Sequence, residues 1–102
     1  MHFHLLAYDA TDEGTLERRM AVREAHLAYV QATKDSGNIL MGAALLDEDG
    51  KMIGSAQVLD FPSQDAVEAW LAEEPYVKNN VWEEVTVTPC SVGPAFLKKP
   101  MS

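Results

Sequence analysis

The sequence predicts one α+β domain: a four-stranded antiparallel sheet with two helices on one face, in the order β-α-β-β-α-β. Three observations predict it. Short apolar or alternating runs recur at residues 2–8, 38–46, 52–61 and 81–88. Two stretches, about Thr15 to Asp35 and Ser63 to Pro75, carry the three- and four-residue apolar spacings of amphipathic helices. An Asp-Gly turn at Asp49-Gly50 joins the second and third runs with no room for a crossover, so those two strands are antiparallel neighbours. With short connections and right-handed crossovers this order gives the ferredoxin-like arrangement.

The first strand sends Phe3, Leu5 and Ala7 to one face and His2, His4, Leu6 and Tyr8 to the other. Both faces are partly apolar, as in a central strand. Asp9 ends it, and Thr11-Asp12-Glu13-Gly14 has helix-start chemistry. In the first helix Leu16, Met20, Leu27 and Val30 form the expected buried stripe, and Gly37 is the expected cap. Ser63 is the expected N-cap of the second helix, whose buried stripe is Val67, Trp70 and Leu71 and which Pro75 terminates. A loop from Tyr76 to Asn80 leads into the last strand. Residues 1–90 form the domain, and 91–102 an irregular tail in which Phe96 and Leu97 are apolar enough to dock.

Composition narrows the function. The chain has 102 residues, 47% hydrophobic and 24% charged, which is one ordinary globular domain. Its 16 acids against 8 bases give a net charge of −8, which argues against nucleic acid and against an anionic membrane surface. No apolar run approaches membrane-spanning length, and the N-terminus lacks a signal peptide's basic start. Cys90 is the only cysteine, so no internal disulfide forms and a cytoplasmic setting is expected. So small a core, and an outer sheet face carrying His4, Leu6 and Tyr8, favour a homodimer.

The chemistry-bearing residues are few. His26 sits at the edge of the first helix's buried stripe, either as a half-buried structural histidine or as a general acid/base. No carboxylate lies one turn away, since Val22 and Val30 hold those positions, so any orienting acid comes from elsewhere in the fold. Glu73 and Glu74 are candidates, placed at the unfavourable C-terminal end of the second helix. Asp9 is another. Arg23, one turn from His26, either holds an anionic group or pairs locally. His2 and His4 share a strand face but lack a third ligand, and the acids of Asp47-Glu48-Asp49 are too few and too closely spaced for a calcium loop, so no metal is expected. No phosphate loop, nucleophile elbow or paired cysteines occur, so no cofactor is expected either.

Several motifs together resemble a known family. Arg18-Arg19-Met20-Ala21-Val22-Arg23-Glu24-Ala25-His26-Leu27 is similar to a basic helix with an Arg-x-x-His-Leu signature. Asp35-Ser36-Gly37-Asn38-Ile39-Leu40, Gly54-Ser55, Glu68-Ala69-Trp70, Glu74-Pro75-Tyr76-Val77, Val81-Trp82-Glu83 and Val85-Thr86-Val87-Thr88-Pro89 follow in order. These are similar to motifs of the YciI-like, or YCII-related, proteins. The resemblance implies a ferredoxin-like fold of the dimeric α+β-barrel type, and a pocket with a His–acid pair proposed as a catalytic dyad. His26 matches the family histidine. Glu74 stands where the family has aspartate, and Asp9 matches an acid common after its first strand. Gly42-Ala43-Ala44 stands where the family usually has Gly-Pro.

Three functions follow. The first is a cofactor-independent enzyme doing isomerase- or lyase-like proton transfer on a small organic, cyclic or aromatic substrate. His26 is then acid/base, Glu74 or Asp9 orients it, and Arg23, Ser55 and Tyr76 bind the ligand. The second is a non-catalytic dimeric small-molecule-binding or accessory module. The third is an α+β-barrel monooxygenase-like protein.

Overall fold

The computed structural model describes residues 1–97. Its elements are β1 (His2–Asp9), α1 (Thr15–Asp35), β2 (Ile39–Leu46), β3 (Met52–Asp60), α2 (Gln64–Ala72), a one-turn helix α3 (Pro75–Lys78) and β4 (Trp82–Cys90). The strands form one antiparallel sheet in the order β2-β3-β1-β4, with β1 central as expected. Phe3, Leu5, Ala7 and Leu59 are fully buried on the face covered by the helices. They pack with Val67, Tyr76, Val81 and Trp82 into one core. Among the described residues no helix is long and apolar enough to cross a membrane.

Gly54 lies on β3 opposite Tyr8 of β1. A Cβ there would overlap the Ala7 carbonyl. Gly54→Ala is therefore expected to cost about 1–3 kcal/mol through forced displacement of the central strand pair. A lowered urea midpoint with an unchanged slope would register it.

Helix α1 corrects the sequence expectation. Leu16, Met20 and Leu27, expected in the core, are 40%, 54% and 46% exposed. The buried positions are Thr15, Arg19, His26 and Thr33, flanked by half-buried Val22 and Val30. A polar face goes inward because nearly every group on it finds a partner there, so burial costs little. Thr33 shows how. Trp70 Nε1–H donates to Thr33 Oγ1 at 2.8 Å, and that hydroxyl donates to the Tyr29 carbonyl at 2.8 Å. Tyr29 O–H donates back to the Trp70 carbonyl at 2.6 Å, with the two rings stacked 5.5 Å apart. Burial pushes the Tyr29 phenol above its ordinary pKa, so it remains a donor. This reciprocal clasp fixes the end of α2 against α1.

The entry to α1 is tied by Asp12, which takes both Arg18 terminal nitrogens at 2.7 and 2.9 Å and the Thr15 hydroxyl at 2.8 Å. Arg18 and Thr15 hold the Asp12 carboxyl far below the ordinary carboxylate range. The folded value lies below the unfolded one of about 3.9, so the stabilisation is complete above that range and is lost as pH falls. Asp12→Asn is expected to be less stable than wild type at pH 7, and the gap should narrow steadily as pH falls below about 5. Urea midpoints across that range measure it.

Two further expectations change. Pro75 does not open a loop; it is the first residue of α3, where its missing N–H costs nothing. Phe96 does not dock, being 84% exposed on a 3-10 turn at Pro94–Phe96. Lys98 and Lys99 of the tail lie outside the described residues.

Candidate functional site

The break between α2 and α3 positions the site. Glu73 caps the C-terminus of α2, and Glu74 turns to an extended conformation (φ −68°, ψ 124°) as the N-cap of α3. Glu74 therefore meets the positive end of a new helix turn and not the negative end of the old one, which reverses the sequence expectation. Its Oε1 accepts from the Tyr76 backbone N–H at 2.8 Å. Its side chain is fully buried and points back at α1.

There it meets His26. Nδ1 of His26 lies 3.1 Å from Glu74 Oε1 and 2.8 Å from Oε2. Only the Oε1 contact has hydrogen-bond geometry, and Oε2 is left without a partner of its own. A carboxylate on Nδ1 selects the tautomer with the proton on Nδ1 and leaves Nε2 as the free, basic nitrogen. His26 is 8% exposed overall, yet Nε2 is neither hydrogen-bonded nor enclosed among the described residues. The ring stacks on Tyr76 at 3.8 Å and 7°, and Trp82 meets both rings edge-on. The far face of Tyr76 carries the Arg19 guanidinium, 4.8 Å from the ring centre. Arg19 Nη1 in turn holds both Asp9 carboxylate oxygens at 2.8 Å, with both side chains nearly buried.

Asp9 thus supports Arg19 and does not reach His26. Glu74 is the acid on the imidazole. A cavity of about 340 Å³ opens between α1 and the β2–β3 side of the sheet. Its lining includes His26, Arg23, Ser55 and Tyr76, the residues expected to meet a ligand, while Glu74 and Asp9 stand behind it. Gly42-Ala43-Ala44 forms part of the opposite wall. Burial pushes the Tyr76 phenol up, against the opposing pull of Arg19 and Arg23, so it is a neutral donor at pH 7.

Sequence reasoning missed Arg19, Lys34 and Gln57 as lining residues, and Trp82 as the edge-on support. The signals existed: Arg19 lies two helical turns before His26, and Gln57 is a polar residue at an inward position of β3 between Ser55 and Leu59. The histidines of β1 serve elsewhere. His2 Nδ1 accepts from the Val92 N–H at 3.0 Å, and His4 is exposed. No group of three metal-ligating side chains occurs among the described residues. Cys90 is exposed at the end of β4.

The YCII-related domain model matches residues 1–91. The chain belongs to the YCII-related domain family. This YCII-related chain is 35% identical to Protein YciI of Escherichia coli O6:H1 over 95 residues, covering 87% of the chain and 95% of that protein. It is 33% identical over 95 residues to an uncharacterized protein of Haemophilus influenzae, with the same coverage. A solved structure of 5-chloro-2-hydroxyhydroquinone dehydrochlorinase from Burkholderia phenoliruptrix, in complex with 2,5-dihydroxybenzoquinone, superposes with a TM-score of 0.79. That similarity runs at 26% identity over 93% of the YCII-related chain and 98% of the dehydrochlorinase.

Proposed function

We propose that this protein is a cofactor-independent enzyme that moves a proton on a small cyclic or aromatic substrate. One observation carries the reading: a histidine whose Nδ1 is held by a buried carboxylate and whose Nε2 is free beside a cavity of ligand size. Nε2 takes a proton from the bound molecule. The electron pair left behind either shifts along the molecule, which takes the proton back from Nε2 at a different atom, an isomerisation, or expels a leaving group, an elimination. The imidazolium so formed lies against Glu74, whose charge is already buried and oriented. Tyr76 and Ser55 supply neutral hydrogen bonds to the substrate, and Arg23 a positive charge. The similarity to a dehydrochlorinase supports small-molecule chemistry and favours elimination over isomerisation.

The test is direct. Purified protein is offered 5-chloro-2-hydroxyhydroquinone and halogen-free hydroquinones in D2O, with chloride release and ring deuteration followed. His26→Gln is expected to lose about 10²-fold or more of whichever activity is found. Equal rates in His26→Gln would remove the acid/base role of His26, and no turnover of any probe by the wild type would leave the cavity as a binding module.

We also propose a homodimer closed through the outer sheet face, where Leu6, Tyr8, Ala56 and Val58 present apolar surface that no element among the described residues covers. Sedimentation should give twice the chain mass, and Val58→Glu should give the monomer. A cytoplasmic setting fits the single cysteine.

A further inference from the structure

The cavity beside His26 is lined by no carboxylate, in a chain with twice as many acids as bases. It is instead lined by three cations, Arg19, Arg23 and Lys34. Elsewhere Arg18 pairs with Asp12 and Lys78 with Glu73, while Lys51, away from the cavity, has no ion-pair partner among the described residues. Arg19 is neutralised by Asp9. Arg23 and Lys34 have no ion-pair partner among the described residues. They stand 11 residues apart on α1, just over three whole turns, so both project to the same side as Leu27 and Val30 between them.

Their effect on the local charge is decisive. Asp9 and Arg19 cancel, and buried Glu74 leaves one negative charge directly behind His26. That arrangement alone would repel an anion. Arg23 and Lys34 reverse the sign, leaving the cavity net positive in a protein of net charge −8. The neutral groups agree. Gln57 is 3% exposed and lines the same cavity; its amide oxygen is enclosed without a partner, while its amide NH2, unbonded and not enclosed among the described residues, is the group that can donate to an anion. Ser55 Oγ and the Tyr76 hydroxyl also make no hydrogen bond among the described residues.

We propose that the cavity takes a small organic anion, a carboxylate or ring oxyanion, whose charge is set against Arg23 and whose remaining polar groups meet Gln57, Ser55 and Tyr76. This deepens the acid/base reading by naming the substrate class, and it rests on that reading only for the presence of a proton within reach of His26 Nε2. Lys34, at the far end of the groove, draws the anion in without touching its reacting atoms.

Binding measures this independently of turnover. Uniformly ¹⁵N-labelled full-length protein is titrated with benzoate and with 4-nitrophenolate, each against its neutral counterpart, benzamide and 4-nitroanisole. At least one anion should bind about tenfold or more tighter than its counterpart, a preference of about 1.4 kcal/mol. Which anion wins distinguishes a carboxylate from a ring oxyanion. Arg23→Met should erase the preference with the thermal midpoint unchanged, since Arg23 is exposed and unpaired. Arg23→Lys should restore most of it. Equal binding of anion and neutral probe, no binding by any probe, or an Arg23→Met variant that keeps the preference would overturn the proposal. An anion preference that persists while His26→Gln retains full turnover would instead remove the acid/base reading and leave the ligand class standing.

Discussion

Glu74→Ala is expected to lower stability by about 3–5 kcal/mol, the cost of removing one member of a buried charged pair. Two losses combine. The Tyr76 N–H loses its acceptor, which is the N-cap of α3, and His26 Nδ1–H is left buried without a partner. A thermal midpoint lowered by more than about 12 °C for a domain of this size would match. Glu74→Gln separates structure from chemistry. Its amide oxygen still accepts both hydrogen bonds, so most stability should return, while the negative charge behind the imidazolium is gone. Activity should then fall about 10²-fold or more with the fold intact. The ¹⁵N shifts of His26 provide a second readout: one tautomer, protonated on Nδ1, in the wild type, and a mixture in Glu74→Gln. An unchanged tautomer and unchanged activity in that variant would remove the dyad.

Asp9→Ala should cost about 3–5 kcal/mol as well, because it strands the Arg19 guanidinium at 4% side-chain exposure. The damage should not stop there. Arg19 is one face of a stack that continues through Tyr76 to His26, so a displaced guanidinium frees the ring that supports the imidazole. The double variant Asp9→Leu, Arg19→Met removes both charges and keeps apolar volume, and should recover most of the stability. Comparing the double variant with both singles gives the coupling energy, and additive effects would show that the pair contributes nothing as a pair.

How legible was this in the chain? The strands were, because β1 alternates and the Asp49-Gly50 turn fixes the β2–β3 hairpin; strand boundaries differ by a residue or two. His26 was visible as an odd histidine beside an apolar stripe, and Glu74 as an acid before a proline. What periodicity misread was the rotation of α1. A count of apolar residues puts Leu16, Met20 and Leu27 inside, whereas the buried face is the one whose polar groups are answered by Asp9, Glu74 and Trp70. Those answers come from residues 10, 48 and 37 positions away, beyond any local pattern. Arg19 and Gln57 were obscured for the same reason, since each looks like a surface residue until the strand or helix opposite is in place.

The double duty of Glu74 has a kinetic consequence. The same carboxylate that holds His26 also closes α3, a helix of four residues with little stability of its own. Whenever that turn frays, the acid leaves the imidazole, and whenever the acid leaves, the turn loses its cap. Exchange of one backbone proton, the Tyr76 amide, therefore counts the molecules in which the pair is assembled. Its exchange on warming should track loss of activity at temperatures where the β1–β3 amides are still fully protected, so that the protein switches off locally before it melts.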